Sequence, residues 1–238
     1  MTVEIYGVFR RHPWIDQVNI DHDLDEDLFS LAIKRAAAYG WSTPFSSLPE
    51  LAGSRWYHAD AGDDWSQDGQ NRRLAWLTVY PTVGMPQQHL PILPMTRVMT
   101  DSLHRMGHLT FTALSSQVPL RLAPDTTFDL RTDADWYALS APQARTDVTV
   151  TVSTEPGSEF DPGRVLDHAA ERSIGHLRIT HAELPAEANA TAFTASAPEW
   201  TPDAAAWITE LVVNSLRNAG VRGSAVITVS TSDGQPAT

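Results

Sequence analysis

Val148-Thr149-Val150-Thr151-Val152-Ser153 opens the stretch from Asp147 to Ser230 whose reading decides the fold. Its strict period of two sends three valines to one face and hydroxyls to the other, the pattern of a half-buried strand. Asp161-Pro162 follows as helix N-cap and first helical residue, the place where proline forfeits no hydrogen bond. Val165, Leu166, Ala169 and Ala170 give this helix an apolar face, and Gly175 ends it. Two strands come next. Thr201-Pro202-Asp203 then starts a second helix with a buried stripe of Ala205, Ile208, Leu211, Val212, Leu216 and Ala219, closed by Gly220. Ala225 to Ser230 is the last strand, so the order is β-α-β-β-α-β.

Residues 1–118 repeat that order with longer loops. Val3, Ile5, Gly7 and Phe9 alternate with Glu4, Tyr6, Val8 and Arg10 in a first strand. After the acidic cluster Asp21 to Asp27, a helix places Leu28, Leu31, Ala32 and Arg35 on one face and stops at Gly40. A long aromatic and proline-containing connection, residues 41–53, leads to a strand at Arg55 to Ala59 and a polar hairpin. Arg73 to Tyr80 reads as apolar on both faces, like a central strand. Pro81 to Pro94, with its four prolines, reads as an irregular lid, followed by a helix from about Thr96 to Met106 that Gly107 stops. His108 to Ser116 is the closing strand. Residues 119–146 read as a connector, in which Trp136-Tyr137-Ala138-Leu139 could pair as an extra strand.

Two local matches accompany the shared element order. Ser102 to Gly107 (SLHRMG) stands beside Ser215 to Gly220 (SLRNAG), and His58-Ala59 beside His181-Ala182. The expected fold is α+β: two tandem ferredoxin-like units, residues 1–118 and 147–238, with antiparallel sheets packed as a pseudo-dimeric barrel. By topology the chain resembles the dimeric α/β-barrel proteins, a fold that hosts oxidation, cyclisation, haem and non-catalytic binding functions alike.

Composition narrows the chemistry. The 238 residues contain no cysteine, which removes disulfides, thiolate catalysis and Cys-ligated zinc or iron–sulfur centres. Seventeen basic residues against 29 acidic give a net charge of −12, a surface that repels nucleic acid. The single lysine, Lys34, reads as a solvated helix residue, leaving Schiff-base chemistry almost no place. No apolar run approaches the ~18 residues of a membrane span, and the amino terminus reads as a strand rather than a signal peptide, so the expectation is a cytoplasmic protein. No G-x-G-x-x-G, Walker A, G-x-S-x-G or H-E-x-x-H motif occurs.

The candidate site residues follow from residue type and place. Histidine is the natural general base near neutral pH, which singles out His58, His181 and His108. Tyr80 is a further proton-transfer candidate, and Arg73 and Arg178 are candidates for stabilising an anion. Five of the eight tryptophans lie in the first third of the chain, and Tyr6, Trp41, Trp56 and Trp76 are the expected lining of an apolar pocket beneath the two long loops. His104 and His108 have metal-ligand spacing, but Gly107 lies between them; no metal and no cofactor is expected. Gly107-His108-Leu109-Thr110-Phe111-Thr112 resembles the His-apolar-Thr-apolar motif of the two-histidine phosphoesterases, with Gly175-His176-Leu177-Arg178-Ile179-Thr180 as a second copy in which Arg178 replaces the required hydroxyl.

The expected function is that of a small-molecule enzyme acting on an apolar or aromatic metabolite by cyclisation, isomerisation or cofactor-independent oxygenation, in bacterial natural-product biosynthesis. The alternatives are a non-catalytic ligand-binding or assembly-partner protein and a two-histidine-type phosphoesterase. The expected partner is a small molecule, with the chain a monomeric pseudo-dimer or a homodimer. The second half carries Thr149, Thr151, Ser153, Thr228 and Ser230 on its open sheet face, suited to a solvated or polar surface.

Overall fold

The computed structural model describes residues 1–15, 17, 27–43, 56–66, 68–81, 89–123, 145–183 and 189–231. These form an α+β protein with largely antiparallel strands. They divide into two compact units, one from residues 1–81 and 93–112 and one from 89–92 and 113–231. The acidic residues 21–26, residues 44–53 of the first long loop with 54 and 55 after it, residues 82–88 of the expected lid and the connector from 124 to 144 lie outside the described residues. No helix among the described residues is long and apolar enough to cross a membrane.

The first unit contains β1 (Thr2–Arg11), α1 (Leu28–Tyr39), β2 (Ser42–Thr43), β3 (Trp56–Asp63), β4 (Arg72–Pro81), α2 (Ile92–Met106) and the opening half of β5 (Gly107–Pro119). Its strand order is β2-β3-β4-β1-β5. β4 pairs antiparallel with both β1 and β3, and the short β2 joins β3 in parallel. The alternation in β1 buries Val3, Ile5 and Phe9 fully, as its period requires. β4 is not the doubly covered strand that its composition suggests. Ala75, Leu77 and Val79 are buried, but Trp76 and Thr78 are half-buried and Tyr80 is exposed, so only one face is covered.

Asp27 caps α1 by accepting a hydrogen bond from the Ser30 amide at 2.7 Å, and Gly40 ends it in the left-handed region, φ 72°. Its buried stripe is Leu28, Leu31, Ala32 and Ala36; Arg35 stays at the boundary and Lys34 is solvated. Helix α2 starts at Ile92, earlier than its prolines suggested. Pro94 falls in the first turn, where amides have no intrahelical acceptor, so its missing N–H removes nothing. Gly107 is not a left-handed stop: it begins β5 directly. A Cβ there would lie 2.5 Å from the Arg10 carbonyl oxygen and 2.5 Å from the Phe9 ring, so glycine serves a close approach of β5 to β1. Gly107→Ala is therefore expected to cost roughly 1–3 kcal/mol in urea unfolding, because backbone must yield.

The second unit contains the closing half of β5, a 3-10 turn (Leu120–Leu122), β6 (Thr146–Thr154), α3 (Pro162–Arg172), β7 (Arg178–Glu183), β8 (Ala190–Ala197), α4 (Pro202–Asn218) and β9 (Ser224–Thr231). Its order is β5-β9-β6-β8-β7, with every neighbouring pair antiparallel. Val148, Val150 and Val152 are buried, and register places Phe193 opposite Val150. Both helix starts form as their sequences dictate: Asp161 accepts from the Gly163 amide and Thr201 from the Ala204 amide. Helix α3 ends at Arg172 with Ser173 as cap; the left-handed turn is shared by Ile174 and Gly175, so the glycine lies beyond the stop. On the outer sheet face Thr149, Thr151 and Thr228 are half-buried and Ser153 is exposed. Ser230, expected on an open face, is buried at 2% exposure.

Candidate functional site

Two β-bulges flanking β4 decide what its outer face presents. In the β1–β4 ladder Ile5 opposes Ala75 but Tyr6 opposes Arg73, so Leu74 is the extra residue. The bulge buries Leu74 beside Ala75 and turns Arg73 to the face that carries Glu4 and Tyr6. In the β3–β4 ladder His58 opposes Val79 and Asp60 opposes Thr78, leaving Ala59 as the extra residue. That shift brings Gly62 opposite Trp76.

The result is a cross-strand network. Tyr6 Oη donates to Glu4 Oε2 at 2.9 Å, and Arg73 Nη1 donates to Glu4 Oε1 at 2.8 Å. The Arg73 guanidinium carbon sits 4.2 Å from the Trp76 ring centroid, a cation–π contact. Trp76 lies down on Gly62, where any Cβ would collide with the indole. Burial pushes the Tyr6 hydroxyl up to about 12, helped by the charge and hydrogen bond of Glu4 and opposed by Arg73. On the same face Thr2 and Thr78 share a hydroxyl hydrogen bond of 3.0 Å, and the Tyr57 and Tyr80 rings meet at 5.7 Å.

Of the ten residues singled out from sequence, Tyr6, Arg73, Trp76 and Tyr80 share this outer face. Trp56 and His58 do not. Trp56 is a core residue, and His58 is also buried, at 5% exposure, with neither ring nitrogen hydrogen-bonded. Burial alone lowers His58 to about 4, so the ring is neutral at pH 7. Trp41 is half-buried, its ring 5.7 Å from that of His58. His108 is exposed near the start of β5.

Arg178 and His181 belong to the second unit, opposite Ser196 and Thr194 on β8. The two strand histidines are not equivalent in register. His58 precedes the bulge of its strand, whereas His181 follows the irregularity after Ile179. His176 lies in the turn before β7 rather than on a strand, unlike the arrangement the phosphoesterase motif requires. No group of three or more metal-ligating side chains forms among the described residues.

Glu4 and Gly62 were missed from sequence. Glu4 carried a signal, since it shares its strand face with Tyr6 two residues away. Gly62 carried none, because its role depends on the partner strand.

No protein-family model and no curated protein matches the chain. Among solved structures it is similar to 3-hydroxy-3-methylglutaryl-coenzyme A reductase of Streptococcus pneumoniae, at 12% identity and a TM-score of 0.20, over 92% of this chain. The chain spans 65% of the length of that structure, and the likeness is too slight to carry fold or function.

Proposed function

We propose that the protein is an enzyme acting on a small apolar or aromatic molecule by acid–base chemistry, of the cyclisation, isomerisation or oxygenation kind, on the outer face of the first unit's sheet. The observation that carries this reading is the Tyr6–Glu4–Arg73–Trp76 network. A tyrosine held near 12 is a poor source of free tyrosinate, but it serves as a concerted relay. Tyr6 Oη takes a proton from the substrate while its own proton passes to Glu4 Oε2. Arg73 stands at the other Glu4 oxygen, where its charge offsets an anion forming on the substrate. Tyr57 and Tyr80 supply apolar ring surface alongside.

The two units are read as ferredoxin-like folds, supported by strand orders in which the first strand of each β-α-β-β-α-β series lies between the third and the fourth.

Mass spectrometry of natively purified protein, with its visible spectrum, identifies any metabolite carried along. Turnover of that compound is expected to fall about 100- to 10,000-fold in both Tyr6→Phe and Glu4→Gln, the range for loss of a general acid–base group. Full activity in both variants would remove the relay.

The second reading, a non-catalytic assembly partner, rests on the other unit. Register places Thr149, Thr194, Thr151, Ala192 and Thr228 together on one sheet face, all half-buried and small. Light scattering distinguishes the readings: a dimer that Thr151→Arg dissociates, with no turnover by any variant, favours assembly.

A further inference from the structure

His12 and His108 lie together in the first unit, away from the residues assigned above. His12 follows the end of β1, and its amide donates to the Met106 carbonyl at 2.9 Å. Between Met106 and His108 stands Gly107, the residue that permits β5 to approach Arg10 and Phe9 closely. Main chain therefore fixes the spacing of the two histidines, and the site rests on strand ends rather than on a free loop. Their rings meet edge to face, with centroids 4.8 Å apart and planes at 77°. The Trp14 ring lies nearly parallel to that of His12, with centroids 5.8 Å apart and planes at 16°.

Imidazole suits zinc, copper and nickel, whereas magnesium and calcium demand oxygen donors. With metal–nitrogen bonds of about 2.0–2.1 Å, two imidazoles on one tetrahedral or square ion have ring centroids roughly 5 Å apart. The observed centroid separation of 4.8 Å falls in that range. His108 is exposed, so water has access to the remaining coordination positions. No third metal-ligating side chain joins the pair among the described residues, which makes the site open and its ion exchangeable rather than structural. The net charge of −12 raises the concentration of cations near the surface.

We propose that His12 and His108 form a solvent-open, two-histidine site for a divalent transition-metal ion, taking Cu²⁺ more tightly than Ni²⁺ or Zn²⁺. The order follows the general ranking of divalent ions on nitrogen ligands. The site is separate from the proposed relay: neither histidine belongs to it.

The test uses the full chain at pH 7.5, titrated calorimetrically with Cu²⁺, Ni²⁺, Zn²⁺ and Mg²⁺. One equivalent of Cu²⁺ is expected to bind with a nitrogen-coupled paramagnetic resonance spectrum, while Mg²⁺ fails to compete. His12→Gln and His108→Gln should each weaken Cu²⁺ binding at least tenfold. His104→Gln, which removes a neighbouring exposed histidine, should leave it unchanged. Trp14 supplies a second readout: Cu²⁺ quenches the fluorescence of the chain less in Trp14→Phe than in the parent, since the indole stacks on a ligand. Circular dichroism of each variant separates lost binding from lost folding, and His108→Asn gives a second substitution at that position. Equal Cu²⁺ affinity in the parent and both glutamine variants would overturn the proposal, leaving a stacking pair only. So would the absence of one-equivalent binding below 100 μM.

Discussion

Lowering the pH from 7 to 4 is expected to remove on the order of 3 kcal/mol of folding stability through His58. Its ring is buried at 5% exposure with both nitrogens lacking hydrogen bonds, and burial lowers it from 6.5 to about 4. A group whose folded-state value is depressed is neutral in the fold while the unfolded chain takes up the proton. The unfolded state therefore binds more protons between pH 6.5 and 4, and stability rises with pH across that window. The contribution is fully present above pH 6.5, declines as the pH falls through the window and is gone below pH 4. The difference between 6.5 and about 4, at ~1.4 kcal/mol per pH unit, sets the magnitude. Urea midpoints at pH 7.5, 5.5 and 4.5 measure it, with His58→Phe as the comparison. The variant keeps an aromatic ring against Trp41 but has no proton to take up, so its slope should be shallower by most of this amount. Some slope remains, because His168 is also lowered, by burial and then by Arg172. Asp63 works in the opposite sense nearer pH 4, since burial raises its carboxyl. Parallel slopes in parent and variant would show that His58 opens to water.

The uncharged state of His58 bears on function as well. A neutral imidazole in the core, on the face of β3 opposite to Tyr57, is a base only for a molecule that enters the core. The outer-face network needs no such entry. In the proposed chemistry a tyrosine and a glutamate therefore take the place of the histidines that sequence favoured.

What could be read in the sequence divides along a physical line. Alternation in β1 and β6 fixed which side chains are buried, because period two is a property of one strand alone. The caps at Asp161 and Thr201 were equally local, each a side-chain oxygen accepting an amide two or three residues away. The site depended on register instead. Without the bulge at Leu74, Arg73 would point into the core; without the one at Ala59, Gly62 would not lie beneath Trp76. Register is a relation between strands, and a single strand's pattern does not contain it. Register also separates the two halves: His58 and His181 match in sequence, yet fall on opposite sides of the irregularities in their strands. Helix α2 began early for a local reason that cuts the other way, since proline in a first turn is no breaker.

Trp207→Ala is expected to destabilise the protein by about 3–5 kcal/mol, the range for deleting a large aromatic from a core. Sequence favours the tryptophans of the first third, yet the largest fully buried side chain among the described residues is Trp207 on α4, at 1% exposure. That helix is buried along every side from Ala204 to Val213. Ala204, three residues before Trp207 and so on the same side of the helix, is small and fully buried. A side chain of that size cannot fill the cavity that removal of the indole would create, so the cost belongs in the upper part of the range. Trp207→Phe should retain more than half of the lost stability, because it keeps one aromatic ring in the same volume. Trp14, at 48% exposure, is the control: Trp14→Ala should change the urea midpoint by less than about 0.5 kcal/mol, as surface substitutions do. A Trp207→Ala cost below 1.5 kcal/mol on this scale would mean that α4 repacks on its alanines. The expected contrast separates two uses of one residue type: Trp207 holds the second unit's core, while Trp76, laid on Gly62 beneath Arg73, holds the charge network of the proposed site.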